Sequence, residues 1–392
     1  MTRVAIGLEV FLKERTRELE GRRVGLVAHA ASVDAGLTSA VRLFAACPHL
    51  RLTALFGPEH GLLSGAQDMV AVGNERDPGT GLKVHTLYGD TEASLRPTPE
   101  MLEEVDVLVA DLQDVGARYY TFAATAALAL EAAAAAGRRM IVLDRPNPIG
   151  GDAVEGPALG PDMRSFVGYI EAPVRHGMTI GELLRHHARM KGLEKALDVV
   201  PMRGWQRGMS FEDTGLPWIP PSPNMPTPDT AQVYPGACFV EGTNLSEGRG
   251  TTRPFEWIGA PFLDPERMAS LMNGWSLPGA VFRPISFMPA FHKWAGRLCG
   301  GVAIHVMDRA RFRPVRTGVA ALVAAKRLAP RDFGWRREPY EFVTDRLAID
   351  LLAGDTLLRE GIDAGAEADE IVRGWTPVEE SWRAVRADSL LY

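Results

Sequence analysis

Five short apolar runs, each closed by polar, glycine or proline residues, constrain this chain more than any other feature. They are Arg23–His29, Arg51–Phe56, Lys83–Leu87, Asp106–Asp111 and Arg139–Asp144. All are rich in Val, Leu or Ile, as strands buried on both faces must be. Helical patterns lie between most of them, at Leu37–Ala45, Pro99–Glu104 and Tyr120–Ala136. Strand and helix in alternation predict a parallel sheet covered by helices on both sides. A chain of 392 residues is too long for one ordinary core. The expected fold is therefore α/β, with a Rossmann-like parallel-sheet domain over 1–155. A smaller mixed α+β domain over 156–392 would close a cleft against it.

Ligands of open parallel sheets bind at the carboxyl ends of the strands. Four of the runs end in polar clusters: His29; Gly57-Pro-Glu-His-Gly61; Asp111 with Gln113 and Asp114; and Asp144-Arg145-Pro-Asn147. Together they predict a polar bowl on one edge of the sheet. The segment Glu59–Gly81 is long for a connection in a compact domain, which marks it as a substrate-covering loop.

The second half opens on a Gly/Pro-rich crossing, 149–166. A helix follows, with Thr179 and Glu182 forming a capping box at its start. A strand is expected near Leu197–Met202. The proline-dense stretch 215–236 is expected to be irregular, but Trp218, Asn224, Met225 and Tyr234 make it too varied for a passive linker. The run 237–242 reads as a short strand leading into a glycine-rich loop that carries Glu241, Asn244, Glu247, Arg249 and Thr251. Strands at Val281–Ile285 and Gly301–Val306, and helices at Thr317–Leu328 and Asp345–Leu352, complete the pattern.

Glu59 is the first candidate for chemistry. It follows a buried strand, with Pro58 before it and a His-Gly pair after it, and a carboxyl held at such a place can act as a general acid. A glutamate capping loop N–H groups explains the same position equally well. Glycosidic cleavage commonly needs a second carboxylate, for which Glu241 and Glu247 are the candidates, Glu241 marginally preferred as strand-borne. Asp111, Gln113, Arg118, Tyr119 and Tyr120 suit sugar hydroxyls and sugar faces, although packing accounts for either tyrosine alone. Asp144, Arg145 and Asn147 form a similar group, in which Arg145 either meets a substrate carboxylate or bridges to Asp144 or Asp111.

Other functional classes find little support. The formal net charge is -6 and no basic run marks a nucleic-acid face. The turn after the first strand lacks the glycines of a dinucleotide site, and the 241–252 loop lacks the Gly-Lys-Ser/Thr ending of a phosphate loop. Three scattered cysteines (Cys47, Cys238, Cys299) make neither a disulfide framework nor a zinc site. His29 and His60 could join Asp111 or Asp144 around a metal, as in a metal-assisted amidase or esterase using His29, His60 and Asp111, but nothing in their spacing requires a metal. No cofactor is expected. The alanine-rich stretch 121–137 reads as a buried helix, not a membrane span. With no leader pattern at the N-terminus, the expected compartment is the cytoplasm, or an extracytoplasmic one if a leader has been removed.

At its motifs the chain resembles the exo-β-N-acetylmuramidase (NamZ-type) family. The likeness rests on LFGPEHG at 55–61, DLQDVGARYYTF at 111–122 and VLDRPNPIGG at 142–151. It extends to WIPPSPNMPT at 218–227 and FVEGTNLSEGRGTTRPFEWIGAP at 239–261. The resemblance implies removal of N-acetylmuramic acid from the non-reducing end of peptidoglycan-derived saccharides, in cell-wall turnover or recycling. It points to Glu59 as the leading carboxylate and to the 241–252 loop as the facing wall. The candidate substrate contacts also include His29, His60, Asn224, Asn244, Arg249 and Thr251. An arginine should meet the lactyl carboxylate, with Arg118, Arg145 and Arg249 as candidates. A non-catalytic muropeptide-binding protein with the same cleft is the alternative.

Overall fold

The computed structural model describes residues 3–67, 69–71, 73 and 75–392. Its first sheet contains β1 (Arg23–Ala28), β2 (Arg51–Gly57), β3 (Glu75–Arg76), β4 (Lys83–Thr86), β5 (Val107–Asp111), β6 (Arg139–Leu143) and β7 (Leu197–Val200). Their order is β3-β4-β2-β1-β5-β6-β7, parallel throughout except for the short antiparallel β3 at one edge. The five expected strands are all present, within a residue or so at each end. β7 joins the far edge, so this sheet draws on residues both before and after 155.

Alternation along each strand separates two cores. Val24, Leu26, Val107, Val109, Ile141 and Leu143 face the helices Gly7–Glu14 and Ala40–Ala46. Val27, Phe56, Leu108, Ala110, Met140 and Val142 face the other way, onto the helices Phe122–Ala135 and Ile180–Lys191. Such two-sided burial is why these strands read as continuous apolar runs. The Ile180–Lys191 helix starts at the expected capping box: Thr179 accepts from the Glu182 N–H, and Glu182 accepts from the Thr179 N–H.

The second core continues unbroken into the other half. There a small antiparallel sheet, ordered β8-β10-β9, is built from β8 (Trp257–Ala260), β9 (Ala280–Phe287) and β10 (Cys299–Val306). The helix Pro265–Gly274 packs on it, and Pro314–Leu328 packs on that helix.

Two expectations fail in this half. Residues 228–237, at the end of the proline-dense stretch, are helical: Thr227 caps the segment, Pro228 occupies its first turn, and Pro235 is tolerated near its end. The run Cys238–Gly242 is then a 3-10 turn continuing that helix and not a strand. The reason is tertiary. Gly236 and Gly318 let this helix and Pro314–Leu328 touch backbone to backbone, since a Cβ on Gly236 would fall 1.8 Å from the Pro314 carbonyl oxygen. Among the described residues, no helix is long and apolar enough to cross a membrane.

Candidate active site

Glu59 is placed by the turn that follows β2. The Gly61 N–H bonds to the Pro58 carbonyl, and His60 and Gly61 both have positive φ, 69° and 79°. The chain thereby doubles back so tightly that a Cβ on Gly57 would lie 2.8 Å from the Leu62 nitrogen. Glu59 is buried. Its Oε2 accepts from the Thr121 hydroxyl (2.7 Å) and its Oε1 from the Met69 N–H (3.3 Å). Thr121 occupies the N-cap of the Phe122–Ala135 helix but makes no side-chain cap, because its hydroxyl is turned to the carboxylate.

Opposite lies Glu241, on the 3-10 turn that docks against the helix Ala348–Ala353. One of its oxygens accepts from Arg249 Nη2 (2.7 Å) and the other from the Tyr340 hydroxyl (2.6 Å). Glu59, His60, Tyr120, Asn224, Glu241 and Arg249 all line one pocket, together with Ser222, Tyr234, Phe255, Tyr340 and Glu341. Its apolar side is a run of edge-to-face rings, Tyr120 to Tyr234 to Phe255, with the Arg249 guanidinium 5.1 Å from the Phe255 centroid. Burial pushes the Tyr120 hydroxyl well above the usual phenol range, so this ring stays neutral.

Residues 60–67, 69 and 70 cover this pocket. Gln67 accepts from Asn224 Nδ2 (2.9 Å), Ser64 bonds to the Pro221 carbonyl, and His60 Nδ1 donates to the Ala66 carbonyl (2.9 Å). The other residues of the long 59–81 segment include Asp68, Val72 and Asn74, which lie outside the described set. As it stands, the pocket encloses about 40 Å³, room for a few waters and not for a pyranose.

The polar bowl is not assembled as expected. Asp111 is fully buried and its two oxygens take a forked pair from Arg145 (2.5 and 2.7 Å), whose Nη2 also donates to the Val33 carbonyl. Arg145 thus makes the bridge to Asp111 and not to Asp144. Asp144 is fully buried, accepting from the Thr179 and Tyr392 hydroxyls and the N–H groups of Arg145 and Gly181. Burial raises its carboxyl to about 7 despite those donors. Asn147 ties Met178 to Ile149, and Gln113 donates to the carbonyls of Asp114 and Pro146. His29 donates from Nδ1 to the Pro221 carbonyl and accepts at Nε2 from the Gln113 N–H, which fixes the neutral tautomer. Burial drives its pKa down to about 3. With His29 and Asp111 so engaged, the trio with His60 is no ligand set, and no group of three metal-ligating side chains occurs among the described residues.

Other candidates are also engaged in bonds within the protein. Arg118 donates to four carbonyls, of Pro157, Ala172, Leu352 and Ala353, and burial lowers its pKa to about 10. Tyr119 borders the pocket, but its hydroxyl is committed to the Pro235 carbonyl. Thr251 shapes a turn through the Gly248 carbonyl and the Arg253 N–H. Asn244 clasps Asp332 and Gly334, away from the pocket. Glu247 is fully buried and outside the pocket lining, beside Lys293 (3.0 Å), His292 (3.0 Å) and Arg249 (3.4 Å). Burial alone would push its carboxyl up, but the Lys293 charge, the hydrogen bond from His292 and the Arg249 charge outweigh burial and hold it well below the carboxylate range.

Thr121, Ser222, Tyr340 and Glu341 were not anticipated as site residues. Thr121 and Ser222 lie inside the recognisable motifs. Tyr340 and Glu341 lie in no motif and reach the site only through the folding of the second half.

Family models for the N-terminal and C-terminal parts of the exo-β-N-acetylmuramidase NamZ match residues 24–229 and 232–392. The peptidoglycan β-N-acetylmuramidase NamZ of Bacillus subtilis (strain 168) is 43% identical over 390 residues, covering 100% of this chain and 92% of that protein. Two crystal structures of DUF1343 family proteins from Bacteroides fragilis NCTC 9343 also match. One is 33% identical with a TM-score of 0.87, each chain covered in full. The other is 26% identical with a TM-score of 0.76, covering 100% of this chain and 99% of the other.

Proposed function

The chain belongs to the exo-β-N-acetylmuramidase NamZ family along its whole length, and we propose that it hydrolyses the β-glycosidic bond of a terminal N-acetylmuramic acid in peptidoglycan fragments, with Glu59 as the proton-transferring carboxyl. One observation carries the assignment of Glu59. Four buried glutamates stand in or beside the site, Glu59, Glu241, Glu247 and Glu341, the last of which accepts from the Tyr88 hydroxyl (3.0 Å). Glu241 is paired with Arg249, and Glu247 with Lys293, His292 and Arg249. Glu59 has no cationic partner among the described residues and is held only by a hydroxyl and an N–H. It can take up and release a proton without breaking an ion pair, which is what protonation of a leaving oxygen demands.

The remaining residues position the sugar. The aromatic run of Tyr120, Tyr234 and Phe255 offers an apolar wall to a pyranose face. Of the three arginines first considered, Arg249 alone lines the pocket, and it is the partner for the lactyl carboxylate. Glu241 and Tyr340 hold Arg249 and the facing wall in register. Entry of a sugar requires residues 60–67 and Met69 to swing outward, breaking the Gln67–Asn224 and Met69–Glu59 bonds. Closure over the substrate then excludes water from all but the reacting position.

The test is incubation with the disaccharide of N-acetylmuramic acid β-linked to N-acetylglucosamine, with mass analysis of both halves. Release of the two free sugars by the native protein and not by Glu59→Gln is the expected result. An intact disaccharide with the native protein refutes hydrolysis, and release at the native rate by Glu59→Gln refutes the role of Glu59.

A further inference from the structure

A second, larger hollow adjoins the pocket. It is a solvent-open groove of about 530 Å³, lined by Asn244, Lys293, Trp294, Trp335, Arg336 and Arg337, with Glu338 on its rim. One layer of side chains separates the two. The Arg336 guanidinium lies 5.0 Å from the Tyr340 ring centroid, and Tyr340 bonds Glu241. Arg336 Nη2 also contacts Met69 Sδ (3.9 Å), and the Met69 N–H bonds Glu59. Lys293 Nζ donates to the Val240 and Leu245 carbonyls on either side of Glu241, joining groove floor to pocket wall.

We propose that this groove binds the part of the saccharide chain beyond the bond that is cut, and that it recognises there a carboxylate-bearing amino sugar, the next muramic acid unit. The inference rests on the muramidase reading. Three features support it. The pocket with Glu59 is closed at about 40 Å³ and suits only a terminal unit after the cover opens, whereas the groove is open to solvent and lets a chain run out. Its two indoles supply flat apolar faces for sugar rings. Trp294 is fixed by an N–H bond to the Asn244 carbonyl (2.6 Å), and Trp335 by bonds to Asp363.

The charge pattern is the third feature. Lys293 is neutralised by Glu247, whereas no ion pair joins Arg336 or Arg337 to a carboxylate among the described residues, the Arg336 charge acting on the rim Glu338 only at longer range. Arg336 donates to the Pro339 carbonyl, and the rim carboxylate of Glu338 accepts from the Arg337 backbone N–H and not from a guanidinium. Two adjacent guanidiniums beside two indoles match a lactyl carboxylate on a sugar ring, and a neutral N-acetylglucosamine would leave them unused.

The test compares the disaccharide with the tetrasaccharide containing two such repeats, titrated calorimetrically into the full-length Glu59→Gln protein. The tetrasaccharide should bind about tenfold more tightly, the scale of one charge-assisted contact. Arg337→Glu in that background, at an exposed side chain, should abolish the advantage and leave disaccharide affinity within twofold. Trp335→Ala should reduce it. In the otherwise native enzyme, Arg337→Glu should raise KM for the tetrasaccharide alone. Equal affinity for the two saccharides, or an advantage untouched by both substitutions, overturns the groove assignment. A retained advantage in a protein that cleaves neither saccharide overturns the hydrolase reading and leaves the groove standing.

Discussion

Two polar regions meet at the carboxyl edge of the large sheet, and they have opposite fates. Around β1, β5 and β6, the side chains of His29, Asp111, Gln113, Asp144, Arg145 and Asn147 are satisfied by one another or by backbone groups. Beyond β2, Glu59 is held by one hydroxyl and one N–H and opens on a pocket walled by the second half. Both regions have the same residue types. The difference is whether a loop from elsewhere fills the space above the strand ends. The 142–151 and 175–182 segments fill it over β6, while over β2 the 241–255 and 340–341 segments stand off and leave a hollow.

The sharpest way to break this comparison is to remove one member of the closed region. Arg145→Met leaves the fully buried Asp111 carboxylate unpaired, which should cost about 3–5 kcal/mol of stability. Denaturant unfolding should show that loss, while kcat of the folded protein stays near the native value. A kcat collapse at unchanged stability would move Arg145 into the active site. Next in size is Glu59→Gln. Its unfolding midpoint should match the native one while turnover falls ~10²-fold or more, the reverse of the Arg145 pattern. A third contrast lies within the pocket. Arg249→Lys keeps a positive charge near Glu241 but loses the guanidinium fork, so KM for an N-acetylmuramide should rise roughly tenfold. KM for the matching N-acetylglucosaminide, which lacks the lactyl group, should change much less. Equal changes would give Arg249 a purely structural role.

What the sequence disclosed follows from the same contrast. Strands β1, β2, β4, β5 and β6 were legible because burial on both faces is a local property of composition. Glu59 was legible because a turn that doubles back needs its proline and glycines nearby. The commitment of Arg118 was not, since its four carbonyl partners lie at 157, 172, 352 and 353. Glu247 sits six residues from Glu241 and shares its loop, yet Lys293 and His292 reach it from a distant segment and make it a strut. The helix over 228–237 was obscured by its prolines, and the glycine contact that stabilises it joins residues 236 and 318.

The smallest expected effect concerns Asp144, where the closed region meets Tyr392. Its folded pKa, raised to about 7 by burial, lies above the ~3.9 of an unfolded aspartate. Between those values the folded state binds more protons than the unfolded one. The contribution of Asp144 to stability is therefore full below about pH 4 and declines as pH rises through 7. The Tyr392 hydroxyl, 2.7 Å from the Asp144 carboxyl, favours the charged form and limits that decline. Tyr392→Phe removes this donor, so the folded pKa should rise further. Stability should then fall more between pH 6 and 8 than in the native protein, by about 1 kcal/mol, the net worth of one buried hydrogen bond. Unfolding midpoints measured across that range check this. A difference between variant and native proteins that is constant with pH would mean that Asp144 keeps its proton state throughout, and that Tyr392 contributes packing alone.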